Sequence, residues 1–406
     1  MVALSIAASL CAFVVNPVPG RVRHGQLRMQ MTSLPNVASP LGTNLIAVAL
    51  ADTPLSLLTD DPIYVPVFLA AGAVVVLLVK AAFELLLAPV LDGFKLKNSV
   101  SPEQYVAGKR IGKGSYGAVY VGFKNGEDDP SVVIKSIPYG VTTAFDDDFG
   151  GAELFMNQKL KLCGQSGCCA AFLGKASSGD TLSLIFKYEG DTTLEDALKK
   201  GFPENVEDII GGGGGDAEKR AATVVRKISR QVFANLASMH SWNVVHRDVK
   251  GANLLLSERD RRYKFIDFGV ACDLATLTNY RADLQPFDPA YCPPEAPPVD
   301  RRGAGGIKLS AGGAFDVFSA GLLVVQMCFP NTRGEQGIKR FKAALEEYDY
   351  DLKAWRASLE GVQAYEPGFK LLDTYGGWSM LQGCLRADPS ARISASAAAS
   401  SGFCRA

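Results

Sequence analysis

Apolar positions follow three different rules along this chain. Residues 63–79, IYVPVFLAAGAVVVLLV, form one uncharged apolar run. Residues 105–123, 131–137 and 182–187 hold short runs rich in β-formers, among them VYVGF, SVVIKSI and LSLIFK, which predict strands. Further on, Val225, Ile228, Val232, Leu236 and Met239 recur at helical spacing and predict a helix ending near His240. Residues 315–329, FDVFSAGLLVVQMCF, are apolar nearly all round and predict a buried helix, too short to cross a membrane. GFPENVEDIIGGGGGD, with its five consecutive glycines, predicts a flexible loop insert. The Pro/Gly-rich residues 297–314 predict a surface loop.

The uncharged run sits at the short end for a spanning helix, which needs about 20 residues. Lys80 can lengthen it by snorkelling, and Pro66 falls in the first turn, where proline is tolerated. A single transmembrane helix over residues 63–80 is expected. Asp52, Asp60 and Asp61 precede it, whereas Lys80, Lys95, Lys97, Lys109 and Arg110 follow. Positive flanks stay on the side of synthesis, so the C-terminal part is expected to face cytosol or stroma. The chain opens with the apolar MVALSIAASLCA and continues with FVVNPVPGRVRHGQLRMQMTS, which is basic and hydroxylated; no acidic residue precedes Asp52. This predicts a two-part targeting leader over residues 1–33, then a short segment 34–62 before the span and a linker 81–104 after it.

Composition adds exclusions. At 406 residues, 48% hydrophobic and 21% charged, the chain can bury a sizeable core. A formal net charge of zero argues against bulk nucleic-acid binding. The nine cysteines are scattered, without a CxxC pair, which disfavours a disulfide framework or zinc site and points to a reducing compartment. Cys163, Cys168 and Cys169 leave two readings open, a thiol switch or buried small apolar residues.

Candidate chemistry sits where charge interrupts apolar runs. Lys135 lies in SVVIKSI and shares a strand face with Val133 and Ile137. The one glutamate between Ser136 and Tyr188 is Glu153, in line with Met156 and Leu160 on the apolar stripe of a predicted helix. Buried together, the two charges would satisfy each other. Gly112, Gly114 and Gly117 stand in GxGxxGxV spacing between two strands, so they belong to a hairpin whose backbone can lie close over phosphate oxygens. Lys187, Tyr188 and Glu189 would form a hinge between two lobes. Residues 244–256, VVHRDVKGANLLL, crowd His246, Arg247, Asp248, Lys250 and Asn253 between aliphatics. Asp267, in KFIDFG, follows Asp248 by 19 residues. Two carboxylates with an asparagine suit magnesium, a hard cation that takes oxygen ligands.

In this order and spacing, IGKGSYGAV, VVIK, HRDVKGAN, DFG and PPE resemble the eukaryotic-type protein kinase family over residues 105–400. The resemblance implies an α+β, two-lobed protein kinase fold: a β-rich N-lobe over 105–189 and a mainly helical C-lobe over 190–400. It also implies ATP and Mg2+ as cofactors. Ile111, Gly112, Lys113, Gly114, Ser115, Tyr116, Gly117, Ala118 and Val119 would cover the nucleotide, with Lys187 and Tyr188 at the hinge. Lys135 would bind phosphates and pair with Glu153. Asp248 would accept the substrate hydroxyl proton, and Lys250 would stabilise the transferred phosphoryl. Asn253 and Asp267 would hold the metal. Val244–Val245 and Leu254–Leu256 would be strands clamping the catalytic loop. Asp316 would brace that loop, and Glu295 with Arg392 would form a structural ion pair.

Two departures stand out. Pro293 replaces the alanine of the usual APE triplet, and Asp288 stands where kinases commonly carry a threonine facing the catalytic lysine. Thr276 and Thr278 fall in the activation segment, with Arg247 a candidate phosphate receiver and unmodified loop threonines the other reading. CGQSGCCAAFLG, KYEGDTTLEDAL, FPENVEDII and YDYDLKAWR look like the thylakoid protein kinases of plastids. No cysteine pair precedes the span, which resembles the branch acting on photosystem II core proteins. The implied partners are thylakoid protein substrates and membrane lipid, not nucleic acid. A receptor-like kinase of another membrane and a pseudokinase scaffold are the alternatives.

Overall fold

The computed structural model describes residues 104–114, 117–138, 149–164, 167–280, 288–296 and 312–405. They lie in a unit running from Phe94 to Ala406. The expected leader, the segment before the span, the span over 63–80 and nearly all of the linker fall outside the described residues. Among the described residues, no helix is long and apolar enough to cross a membrane.

The strand runs fold into one antiparallel sheet. β1 (Tyr105–Gly114), β2 (Gly117–Lys124), β3 (Val132–Pro138), β4 (Phe172–Ser178) and β5 (Thr181–Lys187) take the order β1-β2-β3-β5-β4. Period-two alternation gives the sheet two apolar faces. Val132, Ile134 and Ile185 pack on one. Ile137, Phe172, Leu182 and Leu184 pack on the other, against Leu154 of helix α1 (Phe149–Leu162). Met156 and Leu160 of α1 are fully buried and belong to the core of the second lobe, so this helix packs against both lobes.

The second lobe is helical, as its periodicity predicts. α2 (Leu194–Lys199) starts at a capping box in which Thr193 and Asp196 satisfy each other's backbone N–H. α3 covers Glu204–Ile210, α4 Ala217–His240 and α5 Gly312–Cys328. Every residue of α5 from Phe315 to Cys328 is buried. The lobe is completed by α6 (Gly334–Glu347), α7 (Leu352–Ala357), α8 (Glu366–Tyr375), α9 (Gly377–Cys384) and α10 (Ala395–Ala399). Phe403 and Cys404 are still fully buried in the same core.

Two loop expectations need correction. Within GFPENVEDIIGGGGGD, ENVEDII is helix α3, because Val206 and Ile210 stand one turn apart and bury their side chains in the core. The glycine run that follows is tied back where Lys227 Nζ donates to Gly211 O at 2.8 Å, and Arg220 Nε donates to Glu207 of α3 at 2.6 Å. The loop placed at 297–314 ends earlier: Gly312, Gly313 and Ala314 are the first turn of α5.

Glu295 and Arg392 pair as expected, through two N–H···O contacts of 2.6 Å. The Arg392 guanidinium also donates to the carbonyls of Arg386, Ala314 and Ala387 and lies 4.9 Å from the Phe318 ring centroid. Removing the carboxylate would leave a buried cation short of its counter-charge. Glu295→Ala is therefore expected to lower stability by about 3–5 kcal/mol, read as a lower urea midpoint at unchanged slope.

Candidate active site

The site forms where the sheet, α1 and the loops ahead of α5 meet. By strand alternation Lys135 faces α1, and its side chain is 8% exposed. Its Nζ lies 2.8 and 2.7 Å from the two Glu153 carboxylate oxygens and 2.8 Å from Asp267 Oδ1. Burial alone would lower the Lys135 ammonium, but the Glu153 and Asp267 carboxylates outweigh it and hold it above its usual range. Burial pushes the Glu153 carboxyl up to about 7 against the pull of Lys135, and the Phe268 backbone N–H donates to it. Burial also opposes ionisation of Asp267, yet Lys135 prevails and keeps its pKa below normal. The sequence-predicted pair is real, and it carries a third member from the other lobe.

The catalytic-loop candidates are set by backbone pairing. β6 (Val244–Val245) pairs with β9 (Cys272–Asp273), and β7 (Leu254–Ser257) with β8 (Arg262–Phe265). Each apolar run is anchored to its own partner strand, with a short 3-10 turn at Gly251–Asn253 before β7. Arg247 and Asp267 sit at φ +64° and +63°, a conformation that costs a non-glycine residue about 1–3 kcal/mol and persists only where the surroundings impose it. Asp316 supplies much of that constraint at Arg247. Fully buried at the start of α5, it accepts from His246 N and Arg247 N at 2.8 Å each, and its Oδ2 lies 2.8 Å from His240 Nε2. The Arg247 guanidinium donates to Val270 O at 2.6 Å and Asn279 O at 2.7 Å. Two of the Arg247 donors are thus engaged by backbone carbonyls.

Asp248 and Asp267 come from adjoining loops. Ile266 N donates to Asn253 O at 3.0 Å, and the His246 ring lies 3.2 Å from Ile266 O and 5.0 Å from the buried Phe268 ring. Asn253 Nδ2 donates to Asp248 Oδ2 at 2.7 Å and to Asp248 O at 2.9 Å. With its nitrogen so committed, the Asn253 amide keeps its oxygen as a hard donor. Lys250 Nζ stands 3.0 Å from Asp248 Oδ1 but is not aligned as a hydrogen-bond donor to it, and that buried oxygen has no aligned donor. Lys250 donates instead to Asp288 Oδ2 at 3.3 Å. Burial would depress the Lys250 ammonium; Asp248 and then Asp288 raise it.

The glycine hairpin is present. Gly112 pairs with Val119, Lys113 with Ala118 and Gly114 with Gly117, while Ser115 and Tyr116 fall outside the described residues. A Cβ at Gly117 would sit 2.4 Å from Ser136 O, so only glycine lets the hairpin lie this close to β3. Ile111 is half exposed. Lys187 and Tyr188 hold the hinge, their N–H groups bonded to Ala171 O and Ser131 O. Gly190 follows at φ +148°, where a Cβ would meet Leu256 O at 2.6 Å.

Sequence reasoning missed two clusters. Lys264, 2% exposed, lies 2.9 Å from Glu189 and contacts Asp260, so the hinge glutamate points inward. Its signal was the same as that of Lys135, a lone lysine between apolar strand residues. Lys159 of α1 pairs with the buried Asp273 at 2.7 Å, and Asp273 accepts from Thr276 at 2.8 Å. Of the three cysteines left with two readings, Cys168 and Cys169 are buried and Cys163 is half-buried.

With this geometry in view, comparison with known proteins decides the family. The model of the protein kinase domain matches residues 105–404. The chain belongs to the protein kinase family. It is 34% identical to the chloroplastic serine/threonine-protein kinase STN7 of Arabidopsis thaliana over 326 residues, 73% of this chain and 56% of that protein. It is 32% identical to the chloroplastic serine/threonine-protein kinase STN8 of Arabidopsis thaliana over 352 residues, 73% of this chain and 69% of that protein. The chain thus spans little more than half the length of the first of these relatives. A crystal structure of a Stt7 homolog from Micromonas algae, soaked with ATP, superposes with a TM-score of 0.64 at 28% identity. The match covers 76% of this kinase and 94% of the other.

The pairing at Glu153 yields a pH dependence. With its carboxyl near 7, Glu153 is ionised and grips Lys135 above that pH and takes a proton below it. Nucleotide affinity is expected to fall about tenfold as pH drops by one unit below that point, and Glu153→Gln to bind weakly without that slope. Titration calorimetry with an ATP analogue across pH 6 to pH 8 reads both, at about one-unit steps.

Proposed function

We propose that this kinase is a membrane-anchored serine/threonine protein kinase of the plastid. It would transfer the γ-phosphate of ATP to hydroxyls of thylakoid proteins, photosystem II core or light-harvesting proteins. The observation that carries the reading is Asp248 Oδ1, a buried carboxylate oxygen without an aligned donor, set between Lys250 and Asn253 and one loop away from Asp267. Such an oxygen is ready to accept a proton from an incoming hydroxyl.

The geometry supports these roles. Asp248 orients the acceptor hydroxyl; its oxygen attacks the γ-phosphorus as the bond to the β–γ bridging oxygen breaks, and Asp248 takes the proton. Lys250 balances charge on the moving phosphoryl. Lys135, held by Glu153, grips the α- and β-phosphates. The backbone from Ile111 to Val119 covers them. The Asn253 amide oxygen and the Asp267 carboxylate make a hard-oxygen pair that fits magnesium. When bound, the metal would neutralise charge on the phosphates. The family and the similarity to the chloroplastic kinases STN7 and STN8 support a plastid kinase. The uncharged run over 63–79 and the basic residues after it support one span with the kinase domain facing the stroma.

Two measurements test this. Purified full-length kinase, given magnesium and labelled ATP, is expected to phosphorylate thylakoid protein. Asp248→Asn is expected to lose about 100-fold or more of that rate while still binding nucleotide. A fully active Asp248→Asn variant contradicts the assignment of the base. Carbonate extraction with protease treatment of isolated plastid membranes reads the anchor. The kinase domain should stay with the membrane and be digested from the stromal side; release by carbonate contradicts the span.

A further inference from the structure

Asp288 carries a charge to which the roles proposed above assign no part. It sits at the start of a turn over residues 288–292 that is held from several sides. Its own Oδ1 accepts from Ala290 N at 3.0 Å, and its carbonyl accepts from Tyr291 N and Cys292 N. Ser319 of α5 donates to Tyr291 O at 2.8 Å, and Lys342 of α6 donates to Pro289 O at 2.8 Å and Cys292 O at 2.6 Å. One carboxylate oxygen is thus spent on the turn, which aims the other, Oδ2, at Lys250 Nζ, 3.3 Å away. The side chain cannot swing clear without breaking its own cap.

Lys250 therefore answers to two carboxylates, Asp248 at 3.0 Å and Asp288 at 3.3 Å. Among the described residues two carboxylates thus face Lys250, while the other ammonium at this turn, Lys342, is engaged by the Pro289 and Cys292 carbonyls. Asp248 is the more sheltered, its side chain 15% exposed, whereas Asp288 is 30% exposed and reachable by an approaching chain. As Lys250 turns toward a transferred phosphoryl, Asp288 loses its partner. An unpaired, half-sheltered carboxylate is then costly, and a cation from the incoming chain relieves it.

On the kinase reading above, we infer that Asp288 determines substrate specificity: it selects acceptor segments with a lysine or arginine next to the phosphorylated hydroxyl. It also positions Lys250 between catalytic turns. Two unit charges about 6 Å apart near a protein surface support roughly a tenfold preference. Acidic residues at the same place are disfavoured by a similar factor.

The test compares three acceptor peptides that differ only in the residues beside one threonine: lysine, alanine or glutamate. The readout is the ratio of kcat/KM between peptides for one enzyme preparation, which cancels any common loss of activity or folded fraction. The native kinase is expected to favour the lysine peptide over the alanine peptide about tenfold, with the preference shrinking as salt is raised. Asp288→Asn should bring the ratio close to one, and Asp288→Glu should keep most of it. An unchanged ratio in Asp288→Asn overturns the inference, and so does a native ratio near one or one insensitive to salt. If the native kinase phosphorylates none of the peptides and no thylakoid protein, the transfer activity itself fails and this assignment falls with it. If it phosphorylates thylakoid protein while its peptide ratio stays near one, only the role of Asp288 fails.

Discussion

One ammonium ties the two lobes of the kinase domain together. Lys135 Nζ touches Glu153 from α1 and Asp267 from the loop after β8, all within 2.8 Å. A cation so far from water is tolerable only because two carboxylates surround it, and they are tolerable only because of the cation. Breaking such a set costs more than it would gain by any single contact, so the strand, the helix and the loop are obliged to meet. Met156, Leu160 and Phe268 lie in one core, which gives that electrostatic meeting point an apolar floor. The nucleotide site proposed for this kinase is the space those constraints leave open.

A second constraint works at the other side of the site. Asp316 is fully buried at the start of a helix with hardly a polar side chain, and it spends both oxygens on the loop of Asp248. That explains how Arg247 keeps a left-handed backbone without glycine. It also explains why α5 must be apolar all round: it is the rigid post from which the loop hangs, and the turn of Asp288 is fixed to the same helix through Ser319. Rigid supports of this kind hold catalytic groups within the narrow tolerance that phosphoryl transfer demands.

Much of this was legible in the sequence because charge inside an apolar run is conspicuous. Lys135 in SVVIKSI, Glu153 on the stripe of α1 and Asp316 in the buried helix each declared a need for a partner. Lys264 made the same declaration, but its partners Glu189 and Asp260 lie in a hinge and a turn, where charge draws no attention. The Lys159–Asp273 pair joins an exposed-looking helix position to a two-residue strand, and no local pattern announces it. α3 was hidden by the glycines beside it: composition pointed to a loop, while Val206 and Ile210 recorded the burial that makes it a helix. The second contact of Lys250, to Asp288, depends on a turn whose geometry is set by α5 and α6 rather than by its own residues.

The central claim is that Lys135 and Glu153 act as one unit in holding nucleotide. A double-mutant cycle measures it directly, with ATP affinity determined for the native kinase, Lys135→Met, Glu153→Gln and the double variant. Each single change is expected to weaken binding strongly, and the double change to be little worse than Lys135→Met alone, a coupling of about 1–3 kcal/mol. Additive losses, with no coupling between the two positions, would contradict it.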